Sequence, residues 1–376
     1  MKKKSHKERM VRDGELYISP RLWNELKLGF HQSDIIQMIS DVIAEYKIPL
    51  PYRHVTLADA KEDFKRLQGM DCTELIVDNE FYSRYEYENK FSNRYIEQSN
   101  IGNKSSDYFH QEARWRCDSI NAPSPQRTWA TEKFRKTLLR ALWTLNYKNV
   151  DMTKMRSAIG LRKYIAAQYR PSAAKAIYQH FKAKNVLDFS SGWGDRLSAF
   201  MATDCTESYL GCDPNDRLFQ QYDKQISTFN KDDKDITMVI SPAEEMDFEQ
   251  YVQGKSGFDL IFTSPPYFII ERYTKEDNQS WQRYKKLETW LSEFLFKVLG
   301  NAWKALKHGG HMVINISDVY CNHTNNCICD PMNDFLKGLK GAEYAGCFGY
   351  RMAKRPQSKS VGTGIFAEPQ WIWRKK

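Results

Sequence analysis

Residues 258–268, FDLIFTSPPYF, run a strand of buried type straight into two consecutive prolines and an aromatic residue. Proline lacks a donor N–H and fixes its own φ, so the strand ends abruptly and its exit is rigid. Working outward, NVLDF (185–189), ESYLGCD (207–213) and DITMVIS (235–241) read as three further short strands, and HMVINIS (311–317) as a fifth. Between them lie segments of helical period, such as DRLFQQYDKQISTF (216–229) and LETWLSEFLFKVLGNAWKALK (287–307), the latter expected to stop at HGG (308–310). Strands alternating with helices predict an α/β fold, a doubly wound and mostly parallel Rossmann-like sheet whose ligands sit beyond the carboxyl ends of the strands. EYAGCFGYRMA (343–353) and AEPQWIWRKK (367–376) read as two closing strands joined by a polar loop.

Three unusual stretches fall at those strand ends: DFSSGWG (188–194), GCDPN (211–215) and TSPPY (263–267). A glycine-rich turn after a strand lets backbone approach a ligand closely, because no Cβ intervenes. Asp213 closes the next strand about 20 residues further on, where an acid can accept both hydroxyls of a ribose. The third glycine of the dinucleotide pattern is missing, since Asp195-Arg196-Leu197 follows Gly194, and the turn opens with Asp188, which suits a cationic amino-acid group better than a pyrophosphate. S-adenosylmethionine is therefore the expected cofactor, held by Asp188, Ser190, Gly192, Gly194, Asp213 and Pro214. RPSAAKAIY (170–178) precedes the first strand and reads either as a plain amphipathic helix with proline in its first turn or as a cover for the cofactor's methionine end.

In order and spacing, DFSSGWG, GCDPN, FTSPPYF and HGGHMVINISD resemble the motifs of S-adenosylmethionine-dependent amino-methyltransferases, which methylate exocyclic amines of bases. The resemblance covers residues 161–376 as a catalytic domain. TSPPY is similar to the form typical of N4-cytosine DNA methyltransferases, whereas N6-adenine enzymes more often carry Asp or Asn where Ser264 stands. The resemblance implies direct in-line transfer to a flipped base, with Ser264, Pro265, Pro266 and Tyr267 catalytic. An exocyclic amine is a poor nucleophile because its lone pair is delocalised into the ring. The Ser264 hydroxyl and a Pro265 carbonyl, held by the prolines, are the expected acceptors that localise it. Tyr267 and Phe268 are the expected stacking partners of the extruded base. Thr263 reads as completing the strand. Asn315 and Asp318, at the fifth strand's end, face the site by position, with end capping the preferred reading for Asn315. Covalent C5 methylation is excluded, because it needs a Pro-Cys nucleophile and the chain has no such pair.

The first 160 residues show no strand–helix alternation and are expected to form a separate, mainly helical domain that recognises the target. The net charge is +9, and residues 101–150 hold nine Lys/Arg against four Asp/Glu, interleaved with aromatics. Arg114, Trp115 and Trp129 are the candidates there for holding phosphates or reading bases, against the alternative that the aromatics are core. The polar, basic loop 271–286 is a second candidate, as a cover over the base. The expected partner is nucleic acid, DNA before RNA, and adenine N6 methylation, a non-catalytic nucleic-acid-binding module and methylation of a protein glutamine stay open as alternatives. Cys321, His323, Cys327 and Cys329 lack paired C-x-x-C spacing, so no metal is expected. The eight cysteines are otherwise scattered, no apolar run spans a membrane, and a cytoplasmic (or, in a eukaryote, nuclear) location is expected.

Overall fold

All seven expected strands are present in the computed structural model, which describes residues 5–120, 122–162, 165–252, 256–321, 323–352 and 364–376. They are β1 (Asn185–Asp188), β2 (Ser208–Asp213), β3 (Asp235–Ile240), β4 (Phe258–Thr263), β5 (Leu306–Asn315), β6 (Ala342–Arg351) and β7 (Ile365–Lys375). Their order across the sheet is β3-β2-β1-β4-β5-β7-β6. Pairing is parallel from β3 to β5 and antiparallel where β7 enters between β5 and β6. Val186, Leu187, Leu260, Ile261, Phe262, Met312, Val313 and Ile314 are all buried. Such unbroken apolar runs, rather than alternation, are what a parallel sheet covered on both faces requires. The loop expected between the two closing strands lies outside the described residues over 353–363.

Helices α1 (Pro171–His180), α2 (Asp195–Met201), α3 (Phe219–Phe229) and α4 (Lys297–Ala305) alternate with the strands. The helix expected over 287–307 begins at Leu287 and passes through a wider π-type turn over Trp290–Phe296 before α4. It ends at Ala305, and HGG does not terminate it: Leu306–Gly310 already belong to β5. Phe258 pairs with Leu306 but Leu260 pairs with His311, so the extra residues bulge out of register. Gly309 takes φ +78, and a Cβ on Gly310 would lie 3.1 Å from the Asp259 carbonyl oxygen, so glycine is what lets the bulge close.

The chain divides into two units, Met1–His54 with Glu112–Ala166, and Val55–Gln111 with Ala167–Lys376. This corrects the expected boundary near residue 160. Residues 55–111 belong with the sheet because they extend it. Tyr95–Ile96 pairs in parallel with β6, Ile76–Val77 pairs with Tyr95–Ile96, and Phe81–Tyr82 pairs with the start of β7. Lys175 of α1 donates to the carbonyls of Leu67 and Gln68 at 2.8 Å each, closing the end of the helix Leu57–Gln68. Two-residue strands of this kind carry no periodicity a sequence can display.

The other unit is mainly helical, as expected, with a small antiparallel sheet of Val11–Arg12, Glu15–Ile18 and Val150–Asp151. Its core gathers Trp23, Ile35, Ile39, Leu138 and Met155, and it includes Trp115 and Trp129. These two tryptophans, expected to read bases, are 3% and 6% exposed. Trp129 donates its indole N–H to the Ile48 carbonyl at 2.9 Å, and Trp115 packs against Tyr52 with ring centroids 5.1 Å apart. Arg135, counted among the basic residues, is also buried, bonding Ser40 and the Trp129 carbonyl. Among the described residues no helix is long and apolar enough to cross a membrane.

Candidate active site

The strand order reverses between β1 and β4, and a cavity of about 390 Å³ opens at their carboxyl ends. Chains leaving neighbouring strands in opposite directions leave a crevice at such a point. Gly192 and Asp213 line one part of it, and Ser264, Pro266 and Tyr267 another. The three stretches singled out in the sequence thus meet in one cavity.

The turn after β1 is stitched to β2 by the Ser191 N–H, which donates to the Cys212 carbonyl at 3.0 Å. Gly192 (φ +56) donates its N–H to Asp213 Oδ2 at 2.9 Å, and Asn215 donates to Oδ1 at the same distance. A Cβ on Gly192 would meet only the Ser190 carbonyl oxygen, at 3.8 Å, so the backbone there is open to a close-lying ligand. Burial pushes the Asp213 carboxyl up to about 6, against the opposing pull of those two backbone donors. Gly194 does a different job from the one expected. At φ +68 its would-be Cβ lies 2.3 Å from Gln225 Oε1, and Gln225 Nε2 donates to the Gly194 carbonyl at 2.9 Å, so this glycine admits α3 and does not line the cavity.

Asp188 also departs from expectation. It is fully buried and does not line the cavity. Arg196 grips it with Nε at 2.7 Å and Nη2 at 3.1 Å, Tyr209 donates at 2.7 Å, and Thr263 donates at 3.0 Å. Its charge is therefore consumed inside the protein, and Thr263, read as a strand-completing residue, is one of its holders. The acid that lines the cavity instead is Asp195, the first residue of α2. It accepts from Gln168 Nε2 at 2.8 Å and from the Ser106 hydroxyl. Sequence reading passed over it, although it stands directly after Gly194. Ser190 and Pro214 line the cavity, and so do Tyr169 and Arg170, just ahead of α1.

At the end of β4, Pro265 is buried and does not line the cavity. The Pro266 carbonyl accepts from the Phe268 N–H at 3.1 Å. Phe268, expected to stack on a base, is 4% exposed at φ +54, with its ring edge-on to Trp290 at 5.8 Å. It anchors the turn in the core and is not a ligand contact. Asn315, on the neighbouring strand, lines the cavity and is bonded to three groups around it. Its Nδ2 donates to Ser264 Oγ at 3.3 Å, Tyr267 Oη at 3.0 Å and Glu368 Oε2 at 3.1 Å. Glu368, on β7, lines the same cavity. Burial and then the nearby Glu271 charge push its carboxyl up, while bonds from Asn315 and Tyr267 pull it down. Burial raises the Tyr267 phenol well above its ordinary range. Asp318 is a cap: its Oδ1 accepts from Ile328 and Cys329 N–H at 2.8 and 2.9 Å. Asn315 and Glu368 were not chosen from the sequence because their roles depend on a strand pairing 53 residues long in separation.

The loop after TSPPY contributes Glu271, Tyr273, Gln279 and Trp281 to the cavity wall. It is fastened by Asn278 Nδ2 donating to the Pro214 carbonyl at 2.7 Å and by Arg283 paired with Glu244 at 3.1 Å. Glu244 lines the cavity too and accepts from the Tyr284 hydroxyl at 3.1 Å. Two of the three sulfurs of the candidate zinc group have partners of their own. Cys329 Sγ donates to the Ile316 carbonyl, Asn326 donates to Cys321 Sγ, and Cys327 is exposed. Among the described residues no group of three or more His, Cys, Asp or Glu is placed to hold a metal ion.

Residues 258–376, about a third of the chain, match the model of the DNA methylase family of N6/N4 type. No curated protein matches the chain. Among solved structures, TrmN from Thermus thermophilus is similar at 13% identity and TM-score 0.36 over 60% of this chain, which spans 54%, about half, of that protein. An rRNA methylase from Streptococcus thermophilus matches at 12% identity and TM-score 0.33, over 56% of this chain and 99% of that one. Magnesium protoporphyrin IX methyltransferase from Synechocystis PCC 6803, with bound S-adenosylmethionine, matches at 6% identity and TM-score 0.33, over 54% of this chain and 74% of that one.

Proposed function

We propose, from the similarity of residues 258–376 to the DNA methylase family, that the protein methylates an exocyclic amine of a nucleic-acid base, cytosine N4 in DNA first, using S-adenosylmethionine. The observation that carries this reading is that one cavity is lined by Gly192 and Asp213 on one part of its wall and by Ser264 and Tyr267 on another. The residues fit the cofactor. Asp213 spends one lone pair of each oxygen on a backbone N–H, and the remaining ones are free for two ribose hydroxyls. Gly192 allows close approach, and Asp195 and Arg170 offer opposite charges for an amino-acid end.

When bound, S-adenosylmethionine supplies an electrophilic methyl on a sulfonium. The chain's own task is to make the amine nucleophilic. Ser264 Oγ accepts one amine hydrogen, drawing the nitrogen toward a pyramidal geometry in which its lone pair points at the methyl rather than into the ring. With the cofactor bound, the new N–C bond would form as the S–CH3 bond breaks, the sulfur keeping that electron pair as a neutral thioether, and one N–H proton would pass to water. Tyr267 presents its ring to the base while Asn315 holds its hydroxyl. Lys133, Arg140 and Lys148 are exposed on the basic, mainly helical unit and suit phosphate contacts, and the half-buried Arg114 is a further candidate. Ser264 favours cytosine; adenine N6 is the second reading, since the same acceptor serves either amine.

Ser264→Ala is expected to lower single-turnover methyl transfer about tenfold or more while leaving cofactor affinity within about twofold. Asp213→Ala is expected to do the reverse. Full activity in Ser264→Ala, measured with tritiated cofactor, refutes the assignment.

A further inference from the structure

We infer that the carboxylate of Glu368 supplies the counter-charge for the positive charge that methyl transfer places on the target amine. This rests on the methyltransferase reading above and adds to it a group that answers the movement of charge in that step. Glu368 is half-buried on β7 and lines the cavity together with Ser264, Tyr267 and Asn315. Its place beside Ser264 follows from Asn315, whose Nδ2 lies 3.3 Å from Ser264 Oγ and 3.1 Å from Glu368 Oε2, so that one amide nitrogen bridges the two oxygens.

No cation answers this carboxylate among the described residues. Its side-chain partners are the Asn315 amide and the Tyr267 hydroxyl, both neutral, and the charge acting on it is that of Glu271, of the same sign. Tyr350 stands opposite Glu368 in the register of β6 and β7, and Arg170 acts on Tyr350 rather than on Glu368. Other acids of the cavity wall are engaged elsewhere. Glu244 is paired with Arg283, Asp195 accepts from Gln168 and Ser106, and Asp213 accepts from two backbone N–H groups. A carboxylate taken partly out of water with no opposite charge beside it carries a cost that a cation in the cavity relieves.

The reaction calls for such a charge at the Ser264 end. As the S–CH3 bond breaks, its electron pair stays on sulfur while the N–C bond forms, so positive charge passes from the sulfur to the amine nitrogen until one N–H proton goes to water. Ser264 is a neutral acceptor: it orients the amine and balances none of this charge. A fixed carboxylate beside it favours the transition state over the ground state, because the charge that it faces grows during the step. Glu368 itself makes and breaks no bond, and the amine hydrogens keep their acceptors at the end of β4.

The test follows single-turnover methyl transfer at saturating S-adenosylmethionine from pH 5.0 to 8.5, on DNA and RNA pools, for the full-length wild type, Glu368→Gln and Glu368→Asp. Cofactor affinity and thermal melting are measured alongside. Glutamine keeps the shape and an oxygen for Asn315 but removes the charge. Burial, and after it the Glu271 charge, raise the Glu368 carboxyl, so the wild type gains rate as rising pH ionises it. The ratio of wild-type to Glu368→Gln rates is therefore expected to climb with pH, to at least about tenfold at the alkaline end, with cofactor affinity within about twofold. Glu368→Asp keeps the charge and is expected to keep the rising limb of the profile. Equal rates for wild type and Glu368→Gln at every pH overturn the inference alone. So does a ratio that does not change with pH, which marks a purely structural role, and so does a Glu368→Asp profile without the rising limb. A wild type that binds cofactor and methylates nothing overturns the functional reading, and this inference falls with it.

Discussion

Lowering the pH through 6 should loosen the protein's hold on its cofactor, and Asp213 is the reason. Burial places the Asp213 carboxyl at about 6 in the free protein, above its ordinary value of 3.8. Two ribose hydroxyls donating to it favour the ionised form, so binding pulls that value down and releases a proton wherever the free protein was protonated. The sign is fixed by this order. Affinity is flat above about pH 7, falls as pH drops through 6, and levels again below the value in the complex. The magnitude follows from the bonds at stake: a hydrogen bond to a charged acceptor contributes about 1–1.5 kcal/mol more than a neutral one, so losing the charge on two bonds costs about 2–3 kcal/mol. That is roughly a 30- to 150-fold rise in Kd, spread over about two pH units. Calorimetric titration of S-adenosylmethionine between pH 5.0 and 8.0, in two buffers of different ionisation enthalpy, reads both the affinity and the released proton. An unchanged Kd from pH 7.5 to 5.0 refutes the role given to Asp213. The same elevated value runs the other way for the unliganded fold. A carboxyl raised above its unfolded value favours the native state at low pH, and that contribution is lost as pH rises from about 4 through 6.

Three further outcomes follow from the packing. Gly194→Ala forces a side chain into φ +68 and against Gln225, and is expected to cost about 2–4 kcal/mol of stability, read from denaturant unfolding; an unchanged midpoint rejects the packing role. Asp188→Ala leaves Arg196 buried without its partner and is expected to destabilise the sheet-bearing unit by about 3–5 kcal/mol. Thermal melts check this, and a variant that melts normally but fails to bind cofactor returns Asp188 to the ligand. Trp129→Ala is expected to cost about 3–5 kcal/mol of stability, whereas a stable variant with weakened nucleic-acid binding restores the base-contact reading.

The sheet was legible because both faces of β1, β2, β4 and β5 are covered, so each strand appears as a short apolar run punctuated by turn residues. TSPPY, GCDPN and DFSSGWG were legible for the opposite reason, as residue types that a regular strand end does not need. What stayed hidden depends on partners distant in sequence. Asp188 and Asp195 are both acids flanking one glycine turn, and the side chains of Arg196, Tyr209 and Thr263 decide which of them is spent internally. Phe268 follows Tyr267 directly, yet a positive φ turns it into the core. The tryptophans at 115 and 129 sit among basic residues, and local charge cannot tell a solvated face from the rim of a core. Asn315 and Glu368 meet only because β7 enters the sheet antiparallel, pairing Asn315 with Gln370.

The central claim, methyl transfer to an exocyclic amine of a base, is tested most directly by product identity. Purified protein is incubated with S-adenosylmethionine and separate pools of duplex DNA, single-stranded DNA and RNA, and each pool is digested to nucleosides for mass spectrometry. The account predicts N4-methylcytosine in DNA, with N6-methyladenine keeping the mechanism and changing the base. Methylation confined to a carbon or oxygen atom, or no methylated nucleoside from a protein that binds the cofactor, would contradict it.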